Sequence, residues 1–162
     1  MQSQDEKIFE SIYEDHADNV YALARFKGLS ESDAADVVQD TFMAVFASYH
    51  SFEGRSSLKT YVVSIARHKI ADHYRKASRR QEEALSETLA MPDSDQSEER
   101  VDVMRATQRL KDDDQDLLHL IFTQGLNYKE AATILDIPEG TVKSRMHKIR
   151  TQMKKHLGGG YP

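Results

Sequence analysis

The sequence predicts an all-α chain of two small helical domains, an N-terminal helical bundle and a C-terminal helix-turn-helix domain, joined by a flexible acidic linker. Three observations carry this. Apolar residues recur at helical spacing through most of the 162 residues, and alternating runs bounded by turn signals are missing. Proline, which interrupts helices, occurs only at Pro92, Pro138 and Pro162. A polar, acidic stretch from Ala77 to Glu99, with Leu85, Leu89 and Met91 as its sizeable apolar residues, separates two helical regions. The expected boundaries are 1–78 for the first domain, 79–99 for the linker, 100–157 for the second domain and 158–162 for a flexible Gly-rich tail.

The first helix is expected over about Glu6 to Phe26, burying Ile8, Phe9, Ile12, Tyr13, Val20, Leu23 and Ala24. Ser30 or Ser32 is the expected N-cap of the second, which runs from Asp33 to Tyr49. Its apolar side is Ala34, Val37, Val38, Phe42, Val45, Phe46 and Tyr49. Asp33, Asp36 and Asp40 follow at i, i+3 and i+7 and form an acidic ridge, with Gln39 beside it. Carboxylates near a helix start stabilise the helix itself, and they also suit docking to a basic partner. Spacing alone leaves both roles open.

The third helix, about Ser56 to Lys76, is basic. Its core stripe is Leu58, Val62, Ile65, Ala66 and Ile70. Around it stand Lys59, Arg67, Lys69, Arg75 and Lys76 with Tyr61, His68, His73 and Tyr74, a mixture of cations and stacking surfaces suited to unpaired bases and phosphates. The preceding loop, Phe52 to Ser57, combines Gly54 with the hydroxyls of Ser56 and Ser57, a setting in which a flipped base can lodge. A solvated helix face with core-anchored tyrosines is the plainer account of the same residues.

The most specific segment is Tyr128 to Arg150. Ala131 and Ala132 fall where a bulky side chain would hold two helices apart, and Ile134, Leu135 and Ile137 supply an apolar wedge. Asp136 occupies the sharp turn, a position that favours Gly and tolerates Asn or Asp. The next helix starts near Pro138-Glu139 and presents Val142, Met146, Ile149 and Met153 to its own domain. Ser144, His147 and Lys148 lie roughly opposite that stripe, with Thr141 and Lys143 on its flanks and Arg145 nearer the edge, as expected of a helix that contacts bases and phosphates in a major groove. An ordinary amphipathic helix with a basic end would leave the small residues, the turn and the proline unexplained.

The net charge of -5 conceals two basic blocks. Residues 1–52 hold ten acids and three bases, 53–80 two and eight, 81–100 seven and one, 101–127 five and three, and 128–162 three and seven. Two nucleic-acid contacts flanked by acidic segments follow from that distribution. The lack of Cys excludes disulfides and thiolate metal sites and fits a reducing cytoplasm. No membrane-spanning stretch and no signal peptide are expected from the apolar runs or the acidic start, so a cytoplasmic protein without membrane insertion is expected. His68 and His73 lie about 140° apart around a helix. No His pair has ligand spacing and no nucleophile motif or phosphate loop occurs, so no metal, cofactor or catalytic residue is expected.

Asp33-Ala-Ala-Asp-Val-Val-Gln-Asp-Thr-Phe42, the segment Phe52 to Lys76 and the segment Leu126 to Arg145 together resemble a bacterial RNA polymerase sigma factor. The short length and missing middle domain place the resemblance nearest the extracytoplasmic-function (ECF) group of the sigma-70 family. Tyr61 stands where that family often has Trp, and Asp136 where it often has Gly. The resemblance implies that Asp33, Asp36, Gln39 and Asp40 dock on the clamp helices of the polymerase largest subunit. It implies that Gly54, Arg55, Ser56, Ser57, Lys59, Thr60, Tyr61, Arg67, Lys69, His73, Arg75 and Lys76 recognise and melt the minus-10 element. Thr141, Lys143, Ser144, Arg145, His147 and Lys148 would read minus-35, while their domain contacts the flap of the second-largest subunit. The acidic linker would thread toward the RNA exit path, and an anti-sigma factor would occlude these faces. The competing expectation is a stand-alone helix-turn-helix regulator bound to a two-fold symmetric site without polymerase.

Overall fold

The computed structural model describes residues 3–83 and 98–158. Seven α-helices and no strands are found among the described residues, in two compact units. In the first unit α1 (Gln4–Phe26), α2 (Glu31–Ser48) and α3 (Leu58–Glu83) each pack against the other two. In the second, α7 (Glu139–His156) meets α4 (Glu98–Gln108), α5 (Asp112–Leu118) and α6 (Tyr128–Leu135).

Caps set the helix starts. Ser3 Oγ accepts from the Glu6 amide and Glu6 accepts from the Ser3 amide, both at 3.2 Å, which draws the start of α1 back to Gln4 from the expected Glu6. Ser30, rather than Ser32, caps α2 by accepting from the Asp33 amide at 3.1 Å. Between α1 and α2 the chain turns at Gly28, whose φ of +95° suits glycine, and a Cβ there would lie 3.2 Å from the Tyr74 hydroxyl. That hydroxyl donates to the Lys27 carbonyl, pinning α3 to the turn.

The first core contains Ile12, Val20, Leu23, Ala24, Ala34, Val37, Val38, Phe42, Val45, Val62, Ala66 and Ile70, as the spacing predicts. Tyr13 is instead 46% exposed, its ring set edge-on to Phe42. Ile8, Phe9, Leu58 and Ile65 are half-buried. Because α3 packs on two helices, its buried arc is wider than one stripe and takes in Val63 and Thr60. Residues 79–83, expected in the linker, continue α3 as helix. The remainder of the expected linker up to 97, including Leu85, Leu89 and Met91, lies outside the described residues, as do 159–162 of the expected tail.

In the second unit Ala106, Leu110, Leu117, Leu120, Leu126, Val142, Met146 and Ile149 form the core. A π-helical turn, His119–Thr123, extends α5, with the Gln124 amide donating to the His119 carbonyl at 3.0 Å. It buries His119 and Gln124, whose side-chain nitrogens lie 3.1 Å apart.

Candidate nucleic-acid interface

The helix-turn-helix is built as its residue sizes demand. Asn127 caps α6 through the Glu130 amide at 2.8 Å, and Glu130 accepts from the Asn127 amide at 3.0 Å. Ala131, Ala132 and Ile134 are all buried. Asp136 then adopts the left-handed conformation, φ 54° and ψ 49°, and Pro138 leads directly into α7. Val142, Met146 and Ile149 are buried, and Met153 is half-buried. That burial turns Lys143, Ser144, His147 and Lys148 fully outward and leaves Thr141 and Arg145 half-buried at the edge. The Ser144 hydroxyl donates back to the Gly140 carbonyl at 3.1 Å. Arg150 reaches the Tyr128 hydroxyl at 3.1 Å and bridges the two helices. Among the described residues no carboxylate forms an ion pair with Lys143, Arg145 or Lys148, so their charge faces solvent.

In the first unit the loop before α3 holds Gly54 at φ +70°, with Arg55 paired to Glu53 at 2.8 Å on an exposed rim. Ser56 donates to the Ser57 carbonyl at 3.2 Å, and Ser57 Oγ accepts from the Thr60 amide at 3.1 Å. Thr60 is 1% exposed and receives the Ser57 hydroxyl at 2.9 Å. Its place is therefore beneath the expected minus-10 surface, where it fixes the loop. Tyr61 is half-buried, its ring tilted over Phe52 at 4.5 Å and its hydroxyl bonded to Ser48. Lys59, Arg67 and Lys69 are half-buried, while Arg75 and Lys76 are exposed. Arg75 pairs with Asp72 on its own helix.

The structure brings the acidic ridge and the end of the basic helix together, which sequence spacing did not foretell. Asp33, Asp36, Gln39 and Asp40 line one groove with His73, Lys76 and Arg80, and Asp33 lies 3.4 Å from His73 Nε2. Asp36, Gln39 and Asp40 are exposed, whereas Asp33 is half-buried. His16 is a further residue that sequence reasoning missed. Burial lowers its pKa from 6.5, while Asp15 opposes that shift and Lys59 adds to it.

Two family models match this chain in sequence order, sigma-70 region 2 over residues 12–80 and sigma-70 region 4 over residues 100–153. The sigma factor YlaC of Bacillus subtilis is 32% identical over 133 residues, spanning 76% of this chain and 77% of the relative. The chain belongs to the sigma-70 family, in its ECF group. The ECF sigma factor SigX of Bacillus subtilis is 28% identical to this sigma factor over 168 residues, covering 94% of this chain and 84% of SigX. Among solved structures, the sigma factor RpoE in complex with the anti-sigma factor NepR from Bartonella quintana matches with a TM-score of 0.76 and 28% identity. That match covers 96% of this chain and 99% of RpoE. The family consists of transcription initiation factors rather than enzymes, and it disfavours the stand-alone regulator. Among the described residues, no helix of this sigma factor is long and apolar enough to cross a membrane.

Proposed function

We propose that this sigma factor binds core RNA polymerase in the bacterial cytoplasm and directs promoter-specific initiation. On this reading α7 reads the minus-35 element as duplex DNA, and the Gly54–Ser57 loop with α3 captures the opened minus-10 element. The observation that carries it is the presence on one chain, in order, of regions 2 and 4, each with an outward basic helix. Lys143, Ser144, His147 and Lys148 are the direct readers in the second unit, with Thr141 and Arg145 at their edge. In the first, Gly54, Arg55, Ser56, Ser57 and Tyr61 hold an extruded base, and Lys59, Arg67, Lys69, His73, Arg75 and Lys76 take the non-template strand. Thr60 acts by holding the loop. Strand opening is then capture of transiently melted DNA, without nucleotide hydrolysis by this chain.

Asp33, Asp36, Gln39 and Asp40 dock on the clamp helices of the largest subunit, and the second unit also meets the flap of the second-largest subunit. Charge complementarity supports the first contact. The RpoE–NepR complex supports an anti-sigma partner for this chain as well. A direct test mixes the purified chain with core polymerase and fragmented genomic DNA. Specific fragments are expected to be retained only when both proteins are present. Specific retention by the chain alone, on two-fold symmetric sites, would return the reading to a stand-alone regulator.

A further inference from the structure

We infer that Met43 is the apolar anchor of the polymerase-docking face of α2, inserted into a small apolar recess on an otherwise basic partner surface. This rests on the docking reading of the acidic ridge. Met43 is 64% exposed, although its neighbours Phe42 and Val45 are buried. It follows Asp40 by three residues, Gln39 by four and Asp36 by seven, so its thioether continues the same outward stripe. The core of the unit gains little from Met43, so its side chain is open to a partner, and what marks it is its place at the end of the acidic ridge.

The two ends of the ridge differ. Asp33, at the N-terminal end, is half-buried and drawn to His73. Asp36, Gln39, Asp40 and Met43 form its exposed remainder. Exposed carboxylates steer a basic partner and set register, but each contributes little net affinity. Affinity concentrates where an apolar side chain is desolvated inside a polar rim. Methionine suits this, being flexible and polarizable enough to fill an irregular recess. A second copy is a poor occupant, because a two-fold contact through this face would set acidic ridges against each other.

The test measures binding of the fluorescently labelled full chain to core polymerase by anisotropy, with thermal melting of each variant to establish that it folds. Met43→Ser is expected to weaken core binding about tenfold, and Met43→Leu to stay within about threefold of the wild type. Asp36→Arg is measured beside them. If Asp36→Arg weakens binding while Met43→Ser does not, the anchor is overturned and the docking reading stands. Wild-type binding by both variants overturns both. Loss of self-association by Met43→Ser with core binding unchanged assigns the patch to a second copy and also overturns the proposal.

Discussion

Two single residues record how far local chemistry constrains this protein. Asp136 is the sole non-glycine residue with positive φ among the described residues, and it sits where the two helices of the DNA-reading motif join. Left-handed backbone strains a residue with a Cβ, and Asp relieves the strain only in part through its short polar side chain. Asp136→Gly is therefore expected to stabilise the second unit by about 1 kcal/mol, raising its melting temperature by roughly 5 °C in calorimetry. His16 makes the opposite kind of statement. Its Nδ1 is buried without a hydrogen-bond partner, and its pKa is lowered from 6.5 by burial. A depressed folded-state pKa means that its contribution to stability is intact above about 6.5 and is lost as pH falls through the folded value. Replacing His16 with Gln is expected to flatten that part of the pH–stability curve of the first unit, measured by urea unfolding. An unchanged slope would remove His16 as its source.

At the scale of elements, the hairpin of α6 and α7 was legible because nearly every position is specified by size or backbone conformation. Ala131, Ala132, Asp136 and Pro138 each have one place in such a turn, and the stripe of Val142, Met146 and Ile149 fixes which face of α7 remains. The end of α3 is less legible. Ala77 to Glu83 is polar, which resembles a linker by composition, yet Ala, Arg, Gln and Glu are strong helix formers and the helix runs on. The π-helical turn at His119–Thr123 was not legible, since an i to i−5 pattern leaves no signature in apolar spacing. Thr60 belongs to the minus-10 set through the resemblance alone, and its burial follows from α3 packing on two helices at once. Groove formation by Asp33 and His73 depends on tertiary packing that no local pattern encodes. For α7 the consequence is direct. Lys148→Ala, removing an exposed cation opposite the buried stripe, is expected to cost about 1–3 kcal/mol of minus-35-dependent complex stability in footprinting with holoenzyme. It is expected to leave core-polymerase binding unchanged.

Across the whole molecule, acidic and basic surfaces are divided between tasks. A net charge of -5 disfavours free chain on DNA, and on the proposed reading the basic blocks at 53–80 and 128–162 act once polymerase supplies most of the binding. Two modest DNA contacts on one chain would then reinforce each other through effective concentration, so that neither unit would need high affinity alone. On the proposed reading, the acidic ridge with Met43 is the chain's route to polymerase, and the two basic helices are polymerase's route to the promoter. Run-off transcription by purified core polymerase, with and without this chain, over a genomic fragment library tests that claim most directly. Discrete promoter-specific transcripts are expected only when the chain is present. If no template in the library gains specific initiation on its addition, the account is contradicted.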